Sequence, residues 1–185
     1  MDITSIILAG GESKRMATNK ALVLFRGKPL IQYPLDLACS LSGEVIISAN
    51  NHDFDEFEFP VVKDRFPARI PLCGVHAGLH ASRTDWNLVL TCDMPNVTRE
   101  LIERLWAALT DQLRIVIPFH DGYFEPLCGF YHRELIPLIE SNIAAGRHSM
   151  LDLLKQVPYL ALNVDDIPAV ERIDIFRNMN EKKDL

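Results

Sequence analysis

Short apolar runs rich in β-branched residues recur along the chain at residues 3–8, 45–48, 59–62, 88–92, 115–118, 126–131 and 160–164. Val45-Ile46-Ile47 and Leu88-Val89-Leu90 have no polar alternation, the pattern of strands buried on both faces. Helical patterns lie between these runs. Residues 29–42 open on Pro29, which suits a first helical turn, and stop before Gly43. Thr98 can cap a helix whose apolar face is Leu101, Ile102, Leu105, Trp106 and Leu109. A further helix runs over 132–145 and closes at Gly146. Strands alternating with helices predict an α/β fold, a three-layer α/β/α sandwich around a mostly parallel sheet. No repeat, low-complexity tract or linker divides the chain, so residues 1–185 read as one domain. Ligands of such sheets gather beyond the carboxyl ends of the strands, which puts the loop at Gly10, Asn50 and Asp93 on one edge.

The first strand runs directly into Leu8-Ala9-Gly10-Gly11-Glu12-Ser13-Lys14-Arg15-Met16-Ala17-Thr18-Asn19-Lys20. Glycine admits close backbone approach, loop N–H groups can cradle phosphate oxygens, and Arg15 and Lys20 can neutralise them. A plain strand-to-helix turn is the alternative for the glycine pair alone. A Walker A loop is excluded because no second glycine precedes Lys20, and a dinucleotide fingerprint because the next glycine is Gly27.

Asp93 follows Leu88-Val89-Leu90-Thr91-Cys92 and precedes a Met94-Pro95 stop, so it stands where a buried strand emerges. A carboxylate there can hold Mg²⁺, a hard cation that shares its shell with phosphates and water; capping of the following turn is the competing role. Asn50 ends its strand with an amide that can offer both donor and acceptor, and Ser48 lies two residues earlier on the same face. Asp64 closes Val61-Val62-Lys63 as a strand-end or turn residue. His76 and His80 share a helical face near Cys73, but no fourth ligand stands at a zinc spacing. Arg147 follows Gly146 at a helix end, and Asn178 and Asn180 alternate so that both amides face one way in an extended segment.

Charge sharpens this picture. The net charge is −6, yet residues 10–28 carry Lys14, Arg15, Lys20, Arg26 and Lys28 against Glu12. That stretch is +4 and the remainder −10. A cationic mouth on an acidic body suits a small anionic ligand and argues against nucleic acid. No apolar run reaches the length of a membrane span, and the N-terminus lacks the shape of a signal peptide. Cys39, Cys73, Cys92 and Cys128 are scattered without a C-x-x-C pair, a usage expected of reduced, buried thiols in a cytoplasmic protein.

The pattern L-A-G-G-x-S-x-R-M-x-x-x-K-A-L, with Pro71 to Gly78, Cys92-Asp93-Met94-Pro95 and Phe176 to Asn180, resembles the nucleotidyltransferase superfamily. Within it, the chain is most similar to the molybdenum cofactor guanylyltransferases, the MobA type. Ala17 stands where many members carry glycine. The resemblance implies a Rossmann-like nucleotidyltransferase fold and transfer of GMP from GTP to the terminal phosphate of molybdopterin, or its molybdenum form, with release of pyrophosphate. It implies that Arg15, Lys20 and Asp93 are catalytic, with Mg²⁺ on Asp93. It assigns the nucleotide to Leu8, Ala9, Gly10, Gly11, Lys20, Ser48, Asn50, Asp64 and Asp93, and the acceptor to Arg147, Asn178 and Asn180. Pro71-Leu72-Cys73-Gly74 would open a helix near the base. Expected protein partners are those of cofactor biosynthesis or molybdoenzyme maturation. The alternatives are CTP on molybdopterin, an NTP on a sugar phosphate, and a non-catalytic nucleotide- or cofactor-binding module.

Overall fold

The computed structural model describes residues 1–10 and 19–179. Its centre is strand β1 (Thr4–Leu8), which pairs in parallel with β4 (Glu44–Ser48) on one side and β6 (Trp86–Thr91) on the other. β5 (Val61–Val62) extends the sheet beyond β4, also in parallel. On the other flank, β9 (Gly129–His132) runs antiparallel between β6 and β7 (Ile115–His120). β10 (Tyr159–Asn163) lies parallel to β7, and the two-residue β8 (Tyr123–Phe124) folds back on it. The order is β10-β7-β9-β6-β1-β4-β5.

The strand side chains alternate between two apolar layers, as a period of two requires. Ile3 just before β1, Ile7 within it, Leu88 and Leu90 of β6, and Val116 of β7 join one core with helices α1 (Gln32–Leu41) and α3 (Arg99–Ala107). Ile6, Leu8, Val89, Ile115 and Ile117 point the other way, into a core with α2 (Pro71–Ala81), α4 (Ile136–Ala144) and α5 (Met150–Leu154). Burial on both faces is why the β1, β4 and β6 segments read as continuous apolar runs. The last helix, α6 (Ala169–Ile175), returns to the first layer through Ile175 and Phe176. The expected three layers and mostly parallel sheet are present.

Local chemistry sets the element ends. Thr98 Oγ1 accepts the Leu101 N–H at 3.3 Å, as expected of the cap on α3. α1 departs from its predicted start. Residues 24–29 form a hairpin, β2 (Leu24–Phe25) against β3 (Lys28–Pro29), and the helix begins only at Gln32. The turn places Arg26 at φ 48° and Gly27 at φ 84°, the left-handed pair a two-residue hairpin needs. The Leu30 and Ile31 N–H groups then donate back to Val23 and Ala21, so Pro29 has no helix to start. The predicted 132–145 helix divides into a 3-10 turn, Arg133–Leu135, and α4. Among the described residues, no helix is long and apolar enough to cross a membrane.

Candidate active site

Three parallel strands end side by side, and the candidate residues stand at those ends. Leu8 is level with Ser48 on one side and Thr91 on the other. The Ala9 N–H donates to the Ser48 carbonyl at 2.9 Å, and the Cys92 N–H to the Leu8 carbonyl at 3.1 Å. The ladder therefore extends one residue past β1 on both flanks, and Gly10 is the first exposed residue beyond it. Two polar groups flank this turn, one beyond the ends of β4 and β5 and one beyond the end of β6.

On the β4 side, Asn50 and Asp64 form a reciprocal pair. Asn50 Nδ2 donates to Asp64 Oδ2 at 2.7 Å, and the Asp64 N–H donates to Asn50 Oδ1 at 2.9 Å. Burial raises the Asp64 pKa, while the Asn50 hydrogen bond and the nearby His76 pull it down. Ser48 is buried, and its hydroxyl donates to the Gly74 carbonyl at 3.1 Å, tying β4 to the first turn of α2. A Cβ at Gly74 would sit 3.0 Å from Ser48 Oγ, 3.1 Å from Leu8 Cδ2 and 3.9 Å from Asp64 Oδ1. A Cβ at Gly10 would lie 3.9 Å from Asn50 Nδ2. The structure thus gathers Leu8, Gly10, Ser48, Asn50, Asp64 and Gly74. The Ser48 hydroxyl is already engaged with Gly74, and the neighbouring Ala9 N–H completes the sheet. What faces outward here is the Asn50–Asp64 pair.

On the β6 side, Lys20 Nζ meets Asp93 Oδ2 at 2.7 Å, and Thr91 Oγ1 donates to Asp93 Oδ1 at 2.8 Å. Both members of the ion pair are largely buried, with side-chain exposures of 14% and 21%. Lys20 is delivered by the 3-10 turn Lys20–Leu22, whose cap is Asn19 Oδ1 accepting the Ala21 N–H. The C-terminal segment closes on the same point, because the Met179 N–H donates to the Asp93 carbonyl at 2.9 Å. Exposed Asn178 stands next to that contact. Arg147 is held by Asn142, its Nε donating to Oδ1 at 2.9 Å. It sits beyond the C-terminal end of α4, and no described contact joins it to Asp93 or Asn50. Gly11, Arg15 and Asn180 lie outside the described residues.

Three polar side chains at this edge, His120, Glu125 and Arg172, escape a sequence reading. His120 ends β7, and its Nε2 lies 3.1 Å from Glu125 Oε1. Glu125 is raised by burial and by the charge of Asp93, with His120 offsetting both. Its place near Asp93 arises because β9 inserts antiparallel beside β6, a pairing no local pattern reveals. Arg172 joins them from α6 through Asp121, Nη2 to Oδ1 at 2.8 Å.

The donor set fits magnesium. Among the described residues, no three His, Cys, Asp or Glu side chains gather into a metal cage. His76 pairs with Glu140 at 3.0 Å. Asp93 offers one hard carboxylate, and Mg²⁺ completes its shell from phosphates and water rather than from a protein cage. The three buried thiols offer no nucleophile. Burial, the first cause in each case, pushes Cys73 up to about 11 and Cys92 and Cys128 up to about 12. Cys39 differs from the expected burial: it lies exposed on α1.

Residues 5–160 match the family model described as the MobA-like NTP transferase domain. The chain is similar to the molybdenum cofactor guanylyltransferase of Vibrio atlanticus, 34% identical with 97% of this chain and 92% of the relative covered. The enzyme of the same name from Vibrio vulnificus is 32% identical, with 97% and 91% covered. The fold is shared with the crystal structure of molybdopterin-guanine dinucleotide biosynthesis protein A from Archaeoglobus fulgidus. That match has a TM-score of 0.80 at 24% identity and covers 98% of this chain and 94% of the other.

Proposed function

The chain belongs to the MobA-like NTP transferase family, and from that membership we propose that it transfers GMP from GTP to the terminal phosphate of molybdopterin. The observation that carries this reading is the pair of polar groups at the strand ends on either side of Gly10, Asn50–Asp64 and Lys20–Asp93. In this reading Asn50 and Asp64 present their amide and carboxylate to the guanine edge. The Gly10 turn lets the triphosphate cross close to the backbone. Gly11 and Arg15, in the same stretch of sequence, are assigned to the phosphates with it.

The reaction needs no protein nucleophile. An acceptor phosphate oxygen, already anionic, attacks the α-phosphorus; the bond to the bridging oxygen of the β-phosphate breaks, and pyrophosphate leaves. Catalysis then rests on alignment and charge neutralisation. Lys20, with Arg15, neutralises charge that builds on the phosphates. Asp93 would hold Mg²⁺, which supplies charge neutralisation at the phosphate oxygens. Thr91 fixes the Asp93 carboxylate by its hydrogen bond. Asn178, Asn180 and Arg147 take the acceptor side, within a single domain that works in the cytoplasm.

Pyrophosphate release, measured with molybdopterin, Mg²⁺ and each nucleoside triphosphate in turn, tests the assignment. Release with GTP alone and formation of the guanine dinucleotide are expected. Release with CTP in preference would overturn the base assignment, and GTP binding without release would overturn the catalytic one. Asp93→Asn and Lys20→Ala should each fold and lose at least about a hundredfold in turnover, the scale of one preorganised electrostatic group.

A further inference from the structure

We propose that His120 is a positioning residue for the acceptor side of this reaction, acting through the C-terminal segment that carries Asn178. The proposal rests on the acceptor role given to Asn178 above. His120 closes β7 at the same sheet edge where Asp93 closes β6. Its ring lies flat on Phe176, with centroids 4.1 Å apart and planes 6° from parallel. Both ring nitrogens face carboxylates: Nε2 is 3.1 Å from Glu125 Oε1 and Nδ1 is 3.2 Å from Asp121 Oδ2. Asp121 is in turn gripped by Arg172, whose guanidinium also donates to the Asp165 and Ile167 carbonyls. The ring is thereby fixed in plane before Phe176 packs on it.

Phe176 is the first of two anchors on the last described residues. The second is Met179, whose N–H donates to the Asp93 carbonyl and whose side chain is buried with Phe25 and Leu30. Asn178 lies between them and faces solvent. On the upstream side Phe176 is held by its burial in the first core, by its N–H on the Arg172 carbonyl and by the imidazole stack, and the stack is the tie that His120 supplies. Loss of that stack leaves the sheet and the Asn50–Asp64 pair intact but releases the placement of Asn178 relative to Asp93. Displacements on the order of an ångström are enough to cost a reaction that depends on alignment.

His120→Ala and Phe176→Ala should each raise the KM for molybdopterin by about tenfold or more while the KM for GTP stays within about twofold. Both delete the stack, and Phe176→Ala also removes a buried core side chain, so the molybdopterin KM of the double variant should be no worse than that of Phe176→Ala alone. Hydrogen exchange at the Met179 amide should quicken in all three. His120→Phe keeps a ring to stack on Phe176 and should restore most of the molybdopterin KM; it carries the test should the alanine form fail to fold. A molybdopterin KM unchanged by His120→Ala, equal rises in both KM values, or unchanged Met179 exchange would each overturn the proposal. Asn178→Ala, run alongside, separates the premise from the inference: an unchanged molybdopterin KM there overturns the acceptor role of Asn178, whatever Met179 exchange shows for His120.

Discussion

Gly74 and Gly78 lie one turn apart on α2, and replacing each by alanine should produce opposite phenotypes. Alanine in a helix interior is favoured over glycine by about 1 kcal/mol at either site. The surroundings decide the rest. At Gly78 the new methyl would fall 2.4 Å from Ile6 Cγ2 and 2.8 Å from Cδ1, closer than real contacts allow. Ile6 is fully buried in the central strand, so it has nowhere to go. Overpacking of that kind costs about 1–3 kcal/mol, and the tight wall argues for the upper end, which leaves a net loss of about 2 kcal/mol. For a chain of this size that is a fall in Tm of roughly 4–8 °C. At Gly74 the nearest atoms are 3.0 and 3.1 Å away, the ends of the Ser48 and Leu8 side chains, and shifts of a few tenths of an ångström relieve them. The helix gain offsets that strain, so Tm should stay within about 2 °C. The relief is taken up by Leu8 and Ser48, against the Asn50–Asp64 pair. Gly74→Ala should therefore raise the KM for GTP severalfold at near-normal stability, whereas Gly78→Ala should lose stability with little change in KM below its Tm. Thermal denaturation and GTP kinetics on the two purified variants are the assay. A Gly78→Ala protein as stable as the parent, or a Gly74→Ala protein with an unchanged KM, would refute the packing argument.

Further expectations follow from the same contacts. Asp64 has a folded pKa above its ordinary value of 3.8, so the fold disfavours its charged form. That contribution to stability is present below pH 3.8 and is lost as pH rises through the raised folded value. The Tm of Asp64→Asn should gain on that of the parent as pH rises from 3.8 through the raised folded value, and a constant gap would contradict the assignment. Thr98→Ala should cost about 1 kcal/mol through the lost α3 cap, read by urea denaturation, with no effect on either KM. A thiol reagent should modify one cysteine, Cys39, in the native protein and the three buried ones only after denaturation. Burial and Asp36 raise the Cys39 pKa, so that reaction should quicken as pH rises toward 9; early modification of a second cysteine would show that the core opens.

Much of the candidate site could be read from the sequence because its parts are strand ends. Doubly buried strands are unbroken apolar runs, and the residues that end them, Asn50 and Asp93, must emerge at one edge once the strands are parallel. Lys20 and Asp93 are 73 positions apart, yet both were legible, one from its loop and the other from its strand. The engagement of Ser48 with Gly74 was not: alternation gives a side chain its face but not its partner. The β2–β3 hairpin was missed because Pro29 is compatible with a helix start, and the evidence against it, Arg26 in a left-handed conformation, is a choice imposed by the turn. His120, Glu125 and Arg172 were missed for a different reason. The run at 126–131 signals a strand but not its direction, and only its antiparallel insertion between β6 and β7 carries Glu125 toward Asp93. The cluster is a product of topology, and no spacing along the chain encodes it.

The claim that two polar pairs grip one nucleotide across the Gly10 turn is tested most directly by a crystal structure with GTP and Mg²⁺ bound. Guanine against Asn50 and Asp64, with the triphosphate crossing Gly10 to Lys20 and Asp93, is the predicted result. GTP bound with its phosphates away from Lys20 and Asp93 would contradict it.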